Sequence, residues 1–141
     1  MSDIRHLVRI QSSPEKVYAA LTTQDGLAAW WTPKVNARPE EGSTASFHFG
    51  PTYFKEMKIV KLIPNKAVSW KCTVATKEWV NTDIHFHIRS YEKGVELFFE
   101  HNNWRSFTEM FSQCSFDWAM FLRSLKSYCE TGKGRPYPDY L

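Results

Sequence analysis

The sequence predicts an α+β fold: a curved antiparallel sheet of about six strands, two short helices after the first strand, and a long C-terminal helix packed across the sheet. Three observations carry that expectation. Alternating strand patterns fill the middle of the chain, and a helix-start signal directly follows the first strand. Thr108 to Thr131 then carries Phe111, Cys114, Trp118, Phe121, Leu122, Leu125, Tyr128 and Cys129 at spacings of three or four. Those spacings place large apolar groups on one stripe of a helix, which at 1.5 Å per residue runs ~36 Å. The stripe needs a partner surface, and a sheet with one apolar face supplies it. A wide aromatic helix face on a curved sheet leaves a cavity between the two layers, where function is expected.

The first strand is Ile4 to Ile10. In Ser12-Ser13-Pro14-Glu15, Ser13 suits the N-cap and Pro14 the first helical position, where its missing N–H has no partner to lose. Glu15 complements the positive end of the helix dipole. A helix over 14–22 follows, with Val17, Ala20 and Leu21 as its inner face. Thr23 or Gln24 opens a second helix around Asp25 to Trp30, which ends before Pro33 because the ring disfavours helical geometry at Thr32. Residues 34–43 are irregular, with a brief edge pairing open to Lys34 to Ala37.

From Thr44 the period changes to two. Thr44 to Phe49 alternates, Tyr53 to Ile63 is a long strand, and Pro64-Asn65-Lys66 turns it into Ala67 to Ala75. Ile59 and Val60 are adjacent and both apolar, which fits either a bulge or a strand covered on both faces. Thr82 to Ile88 alternates strictly, and Glu92-Lys93-Gly94 turns it into Val95 to Asn103. Beyond the final helix, Gly132 is a natural C-cap and 132–141 forms an extended basic tail.

Length and charge bound the possibilities. A chain of 141 residues is one domain's worth. The 18 basic and 15 acidic residues are interspersed, and a net charge of +3 is no nucleic-acid footprint. Three widely spaced cysteines without a CxxC motif fit reduced thiols rather than a disulfide framework or a zinc site. No signal peptide and no membrane-length apolar run is present, so a cytoplasmic protein is expected. Aromatic residues make up 16%, with 6 Trp and 10 Phe, which fits either a ring-rich core or a lined pocket.

Alternation assigns faces. With Ile84, Phe86 and Ile88 inward, His85 and His87 point outward to solvent or cross-strand roles. Val95, Leu97, Phe99 and His101 share an inward face, which places His101 in the cavity near its mouth, either as a polar group open to a guest or as a buried imidazole satisfied by backbone or a neighbouring hydroxyl. Phe47, Phe49, Trp70 and Cys72 from the strands converge with Cys114, Trp118 and Phe121 from the helix. Trp30 and Trp31 are consecutive, so one ring can point inward while the other covers the loop. Asp117 flanks the helix stripe; facing His101 in a closed pocket it would form an acid–base pair, and facing solvent it would pair with a base. No nucleophile elbow, phosphate loop or metal-ligand spacing is present, and no cofactor is implied.

Several words in the sequence are specific in combination: Ser13-Pro14-Glu15-Lys16-Val17-Tyr18 with Ala20-Leu21-Thr22, then Gly26-Leu27-Ala28-Ala29-Trp30-Trp31-Thr32. Glu96-Leu97-Phe98-Phe99-Glu100-His101 with Trp104 follows on the last strand, and Ser124-Leu125-Lys126 with Glu130-Thr131-Gly132 at the end. Together they resemble the START-like, or helix-grip (SRPBCC), superfamily, in the branch similar to the C-terminal domain of the activator of the ninety-kilodalton heat-shock-protein ATPase. One departure is Glu41-Gly42-Ser43, where the family's paired glycine stands before the second strand. The resemblance covers essentially the whole chain and implies one domain over 1–141, with a curved sheet gripping the C-terminal helix around a deep cavity. In such families the Trp30–Trp31 segment sits over the cavity entrance, with Trp79 and Trp104 near it.

Fold alone does not fix activity, and three functions follow as expectations. The first is binding of a small hydrophobic or aromatic molecule by Trp30, Trp31, Phe47, Phe49, Trp70, Cys72, Phe86, Phe99, His101, Cys114, Trp118 and Phe121. The second is interaction with a chaperone or other protein partner through a surface near Trp79 or the basic tail. The third is an enzyme using His101 and Asp117 on an enclosed substrate.

Overall fold

A computed structural model describes residues 2–141 as one seven-stranded antiparallel sheet with three helices. Strand β1 (Ser2–Ile10) leads into α1 (Pro14–Thr22) and α2 (Gln24–Trp30). Strands β2 (Val35–Asn36), β3 (Thr44–His48), β4 (Phe54–Ile63), β5 (Ala67–Val74), β6 (Asp83–Tyr91) and β7 (Gly94–Trp104) follow, and α3 (Glu109–Thr131) closes the order. The strands lie side by side as β1-β7-β6-β5-β4-β3-β2. The seventh strand, beyond the six expected, is β2, the brief edge at Lys34 to Ala37. It pairs through Val35 and Asn36 alone, too short a segment to show a period.

The helix ends follow the local chemistry. Ser13 caps α1 by accepting from the Lys16 N–H at 3.2 Å, and Thr23 rather than Gln24 caps α2, accepting from Gly26 at 3.0 Å. Thr108 caps α3 through the Phe111 N–H at 3.1 Å, and Gly132 ends it in the left-handed conformation with φ 84°. At Gly26 the two short helices nearly touch: a Cβ there would lie 2.6 Å from the Ala20 backbone. The two helices are thereby packed directly against each other.

The adjacent apolar pair in β4 resolves as a bulge. The register with β5 shifts between Ile59 and Lys61, leaving Ile59 buried at 5% exposure while Val60 is 50% exposed. On the outer face His85 Nδ1 meets Ser69 Oγ at 2.8 Å and His87 Nε2 meets Glu100 at 3.1 Å, so both histidines take the cross-strand role. The inner face collects Phe47, Trp70, Phe86 and Phe99 against Leu122 and Leu125 of α3.

Trp118 pins α3 to that face. Its ring lies 4.5 Å from Phe99 and 5.2 Å from Trp31, and its Nε1–H donates to His101 Nδ1 at 3.1 Å. The other imidazole nitrogen lies 2.8 Å from Thr82 Oγ1, whose hydroxyl donates to the Trp79 carbonyl at 2.6 Å. With the Thr82 proton committed, His101 Nε2–H must be the donor to Thr82, which fixes a neutral tautomer with both nitrogens engaged. Burial, and secondarily the charge of Lys55, hold the His101 pKa at about 3 against its ordinary 6.5. His101 therefore sits fully enclosed, beneath the cavity rather than near its mouth.

This depressed pKa makes a pH prediction. Below pH 6.5 the unfolded chain takes up a proton that folded His101 refuses, so stability is full above that point and is lost as pH falls toward 3. The loss reaches roughly 4 kcal/mol at 1.36 kcal/mol per pH unit. Denaturant melts between pH 7 and 4 should show a steeper decline in the wild type than in His101→Gln; parallel declines would count against the neutral, enclosed imidazole.

Candidate functional site

A cavity of about 630 Å³, open to solvent on one side, lies between α3, the β4 end of the sheet and the C-terminal tail. Five segments line it. Trp31 comes from the end of α2, and Phe49, Tyr53 and Lys55 come from the β3–β4 hairpin. Thr76 and Trp79 come from the β5–β6 loop, and Met110, Cys114, Trp118 and Phe121 from the apolar stripe of α3. Tyr137 and Tyr140 close it from the tail, and Glu109, Gln113 and Asp117 stand on the flank of α3.

Among the residues named from sequence, the structure brings Trp31, Phe49, Cys114, Trp118 and Phe121 to the cavity wall. Trp30, Phe47, Trp70, Cys72, Phe86, Phe99 and His101 are buried in the layer beneath it. The consecutive tryptophans divide accordingly. Trp31 faces the cavity, whereas Trp30 stacks 5.9 Å behind it and donates Nε1–H to the Ala20 carbonyl at 2.8 Å. Trp79 is a wall residue at 5% exposure, not part of an outer surface, and Trp104 is buried away from the opening. Asp117 accepts from Gln113 at 3.0 Å, and both nitrogens of His101 are engaged elsewhere, so the two do not assemble as an acid–base pair.

The tail is packed rather than free. Tyr137 N–H donates to the Trp31 carbonyl at 2.8 Å, and Arg135 N–H donates to Ser124 Oγ, which in turn donates to the Trp30 carbonyl at 2.9 Å. Gly134 makes this approach possible, since a Cβ there would stand 2.3 Å from the Ala29 carbonyl oxygen. Tyr140 then stacks on Phe121 at 4.0 Å and 12°, and Tyr137 meets Phe49 edge-on at 5.6 Å. The aromatic spacing of Tyr137 and Tyr140 was the available signal for this packing.

Lys55 is the site residue that pattern reading passed over. It shares the inward face of β4 with Met57 and Ile59, two and four residues on, so alternation alone marks it as a lysine aimed into the protein. It is 6% exposed. Its Nζ lies 3.9 Å from the Trp79 ring centre, 4.2 Å from Tyr53 and 5.4 Å from Phe49, and it donates to the Tyr53 hydroxyl. Among the described residues it has no carboxylate partner. Burial pulls its pKa down to about 8, against smaller upward pulls from Cys114, Cys72 and Asp117. Burial also raises both thiols, that of Cys72 to about 11, so neither supplies an anion near neutral pH.

A base with a depressed pKa destabilises the fold while it is charged in both states. For Lys55 that holds below pH 8, and the cost fades as pH rises from 8 to 10.5, where the unfolded chain holds the proton and the folded one does not. The interval corresponds to about 3 kcal/mol, partly offset by cation–π attraction of roughly 1 kcal/mol. Lys55→Met should therefore raise the denaturation free energy at pH 7 by about 2 kcal/mol and lose most of that advantage by pH 10.5. A variant less stable than wild type at pH 7 contradicts this account.

Comparison with known proteins adds lineage to this geometry. Among curated proteins none matches the chain. The solution structure of the Aha1 dimer from Colwellia psychrerythraea is similar, at 41% identity and a TM-score of 0.88, over 95% of this chain and all of that one. A Mesorhizobium loti protein at 18% identity and TM-score 0.82 shares the fold, over 89% of this chain and 95% of its own. So does an AHSA1-like protein from Aeromonas hydrophila at 14% and 0.72, over 90% and 91%. The family model described as Activator of Hsp90 ATPase homolog 1-like protein matches residues 11–130. Sequence, fold and family model agree: the chain belongs to the Activator of Hsp90 ATPase homolog 1-like family, with the SRPBCC-type fold.

Proposed function

We propose that the protein binds one small hydrophobic or aromatic molecule in the cavity between α3, the sheet and the tail. The observation that carries this reading is the cavity itself. Its 630 Å³ lies within the ~300–1,000 Å³ typical of small-molecule sites, and aromatic side chains from five separate parts of the chain wall it. A well-packed core of this composition closes such a space. Burying about 200 Å² of apolar ligand surface at ~25 cal/mol per Å² supplies about 5 kcal/mol before polar contacts are counted. Trp31 and Trp118 offer stacked faces, and Phe121 and Tyr140 a further pair that can part or extend over a guest.

Protein interaction is a second reading. Phe107, in the turn before α3, is 78% exposed, and Phe116 on α3 is 53% exposed. The Colwellia relative was solved as a dimer, and the family description refers to a chaperone ATPase. A second copy or a chaperone docking on this exposed apolar region fits those observations better than docking near Trp79 or on the tail, both of which are packed at the cavity.

Two measurements separate the readings. Trp31, Trp79 and Trp118 report from the wall, so titration with a library of lipids and aromatic compounds should give a saturable emission shift that Met110→Trp, which fills the cavity, suppresses. A flat response across the library removes the ligand-binding reading. For the second, Phe107→Ser should lower the sedimentation coefficient at high protein concentration, and an unchanged coefficient argues against that surface.

A further inference from the structure

Lys55 makes the cavity chemically asymmetric. Its ammonium is enclosed by ring faces, and of its three protons one goes to the Tyr53 hydroxyl; no other protein acceptor meets it among the described residues. Ring faces attract a cation, but they do not replace the acceptors that water offered. Two strong donors thus face the cavity without a protein acceptor.

The α3 flank of the same cavity carries the other sign. Glu109 and Gln113 are exposed, marking the rim, and Asp117 beside them is half-buried. An anionic group at the rim meets Glu109 and Asp117 and is repelled; the same group carried inward meets Lys55. A single ammonium balances a single negative charge, which favours a carboxylate over a phosphate dianion. The walls favour an aromatic body, since Trp31, Trp79, Trp118, Phe121 and Tyr140 all present ring surface to the cavity.

We propose that the cavity selects a monoanionic carboxylate carried on a flat apolar body, with the carboxylate seated on the Lys55 ammonium and the body against the rings that α3 and the tail present to the cavity. This rests on the reading of the cavity as a ligand site and names the ligand's chemical class. It also gives the stability cost of Lys55 a purpose: the cation is kept without a carboxylate in contact, so that a ligand can supply one.

The test compares naphthylacetate with naphthylacetamide, which has nearly the same shape and no charge, by isothermal titration calorimetry on the full chain. A charge-assisted hydrogen bond in an enclosed site predicts about tenfold tighter binding of the acid. In Lys55→Met the two affinities should converge, and in Lys55→Arg the preference for the acid should persist. Circular dichroism melts establish that each variant is folded; should Lys55→Met not fold, the wild-type ratio decides alone. Equal affinities for acid and amide in the wild type overturn the inference while leaving the cavity a ligand site. Binding of neither compound overturns both.

Discussion

The contact on which the architecture turns is that of Trp118 with the sheet. Its ring rests on Phe99 and Trp31, and its indole N–H is satisfied by the fully buried His101. One residue thereby fixes the rotation of α3 about its axis, because any other rotation strands an indole donor in an apolar layer. With α3 so oriented, Leu122 and Leu125 go to the core. Met110, Cys114 and Phe121 are left facing space. The cavity is a consequence of that orientation: one face of α3 packs on the sheet through Trp118, Leu122 and Leu125, and the flank carrying Met110, Cys114 and Phe121 borders open space.

Two buried bases in this region have opposite characters. His101 has every polar atom matched and is neutral, so it behaves as a spacer that locks Trp118, Thr82 and the Trp79 backbone together. Lys55, whose charge helps hold His101 neutral, has its own charge matched by ring faces and one hydroxyl. A satisfied polar network specifies structure, whereas an unsatisfied ion costs stability and is found where something binds. The distinction separates the floor of the cavity from its charged wall.

The tail completes the enclosure. A ten-residue segment rich in proline, glycine and charge carries two tyrosines into the opening, fixed by backbone hydrogen bonds to Trp31 and Ser124. Since those anchors lie at the α2–α3 junction, the tail and the Trp30–Trp31 segment form one closure. Access to the cavity runs past residues whose positions depend on each other, and on the cap at Gly132 that turns the chain back.

The order of elements, the helix caps and the inward faces of β5, β6 and β7 were legible in the sequence because they rest on local chemistry: period, cap hydroxyls and turn residues act over a few positions. The inward lysine of β4 was legible by the same alternation, and was masked only by the expectation that a charged residue faces water. Other features depend on long-range contacts. Which of Trp30 and Trp31 faces the cavity depends on Gly26 bringing α2 against α1, and the line between cavity wall and filled core depends on where α3 stops touching the sheet. Adjacent apolar residues have the same local pattern whether a ring or a void lies opposite them. The sequence by itself therefore determined the sheet, the helices and their buried faces; the tertiary structure alone decided where packing ends and open space begins, because that depends on the distance between layers assembled from residues far apart in the chain.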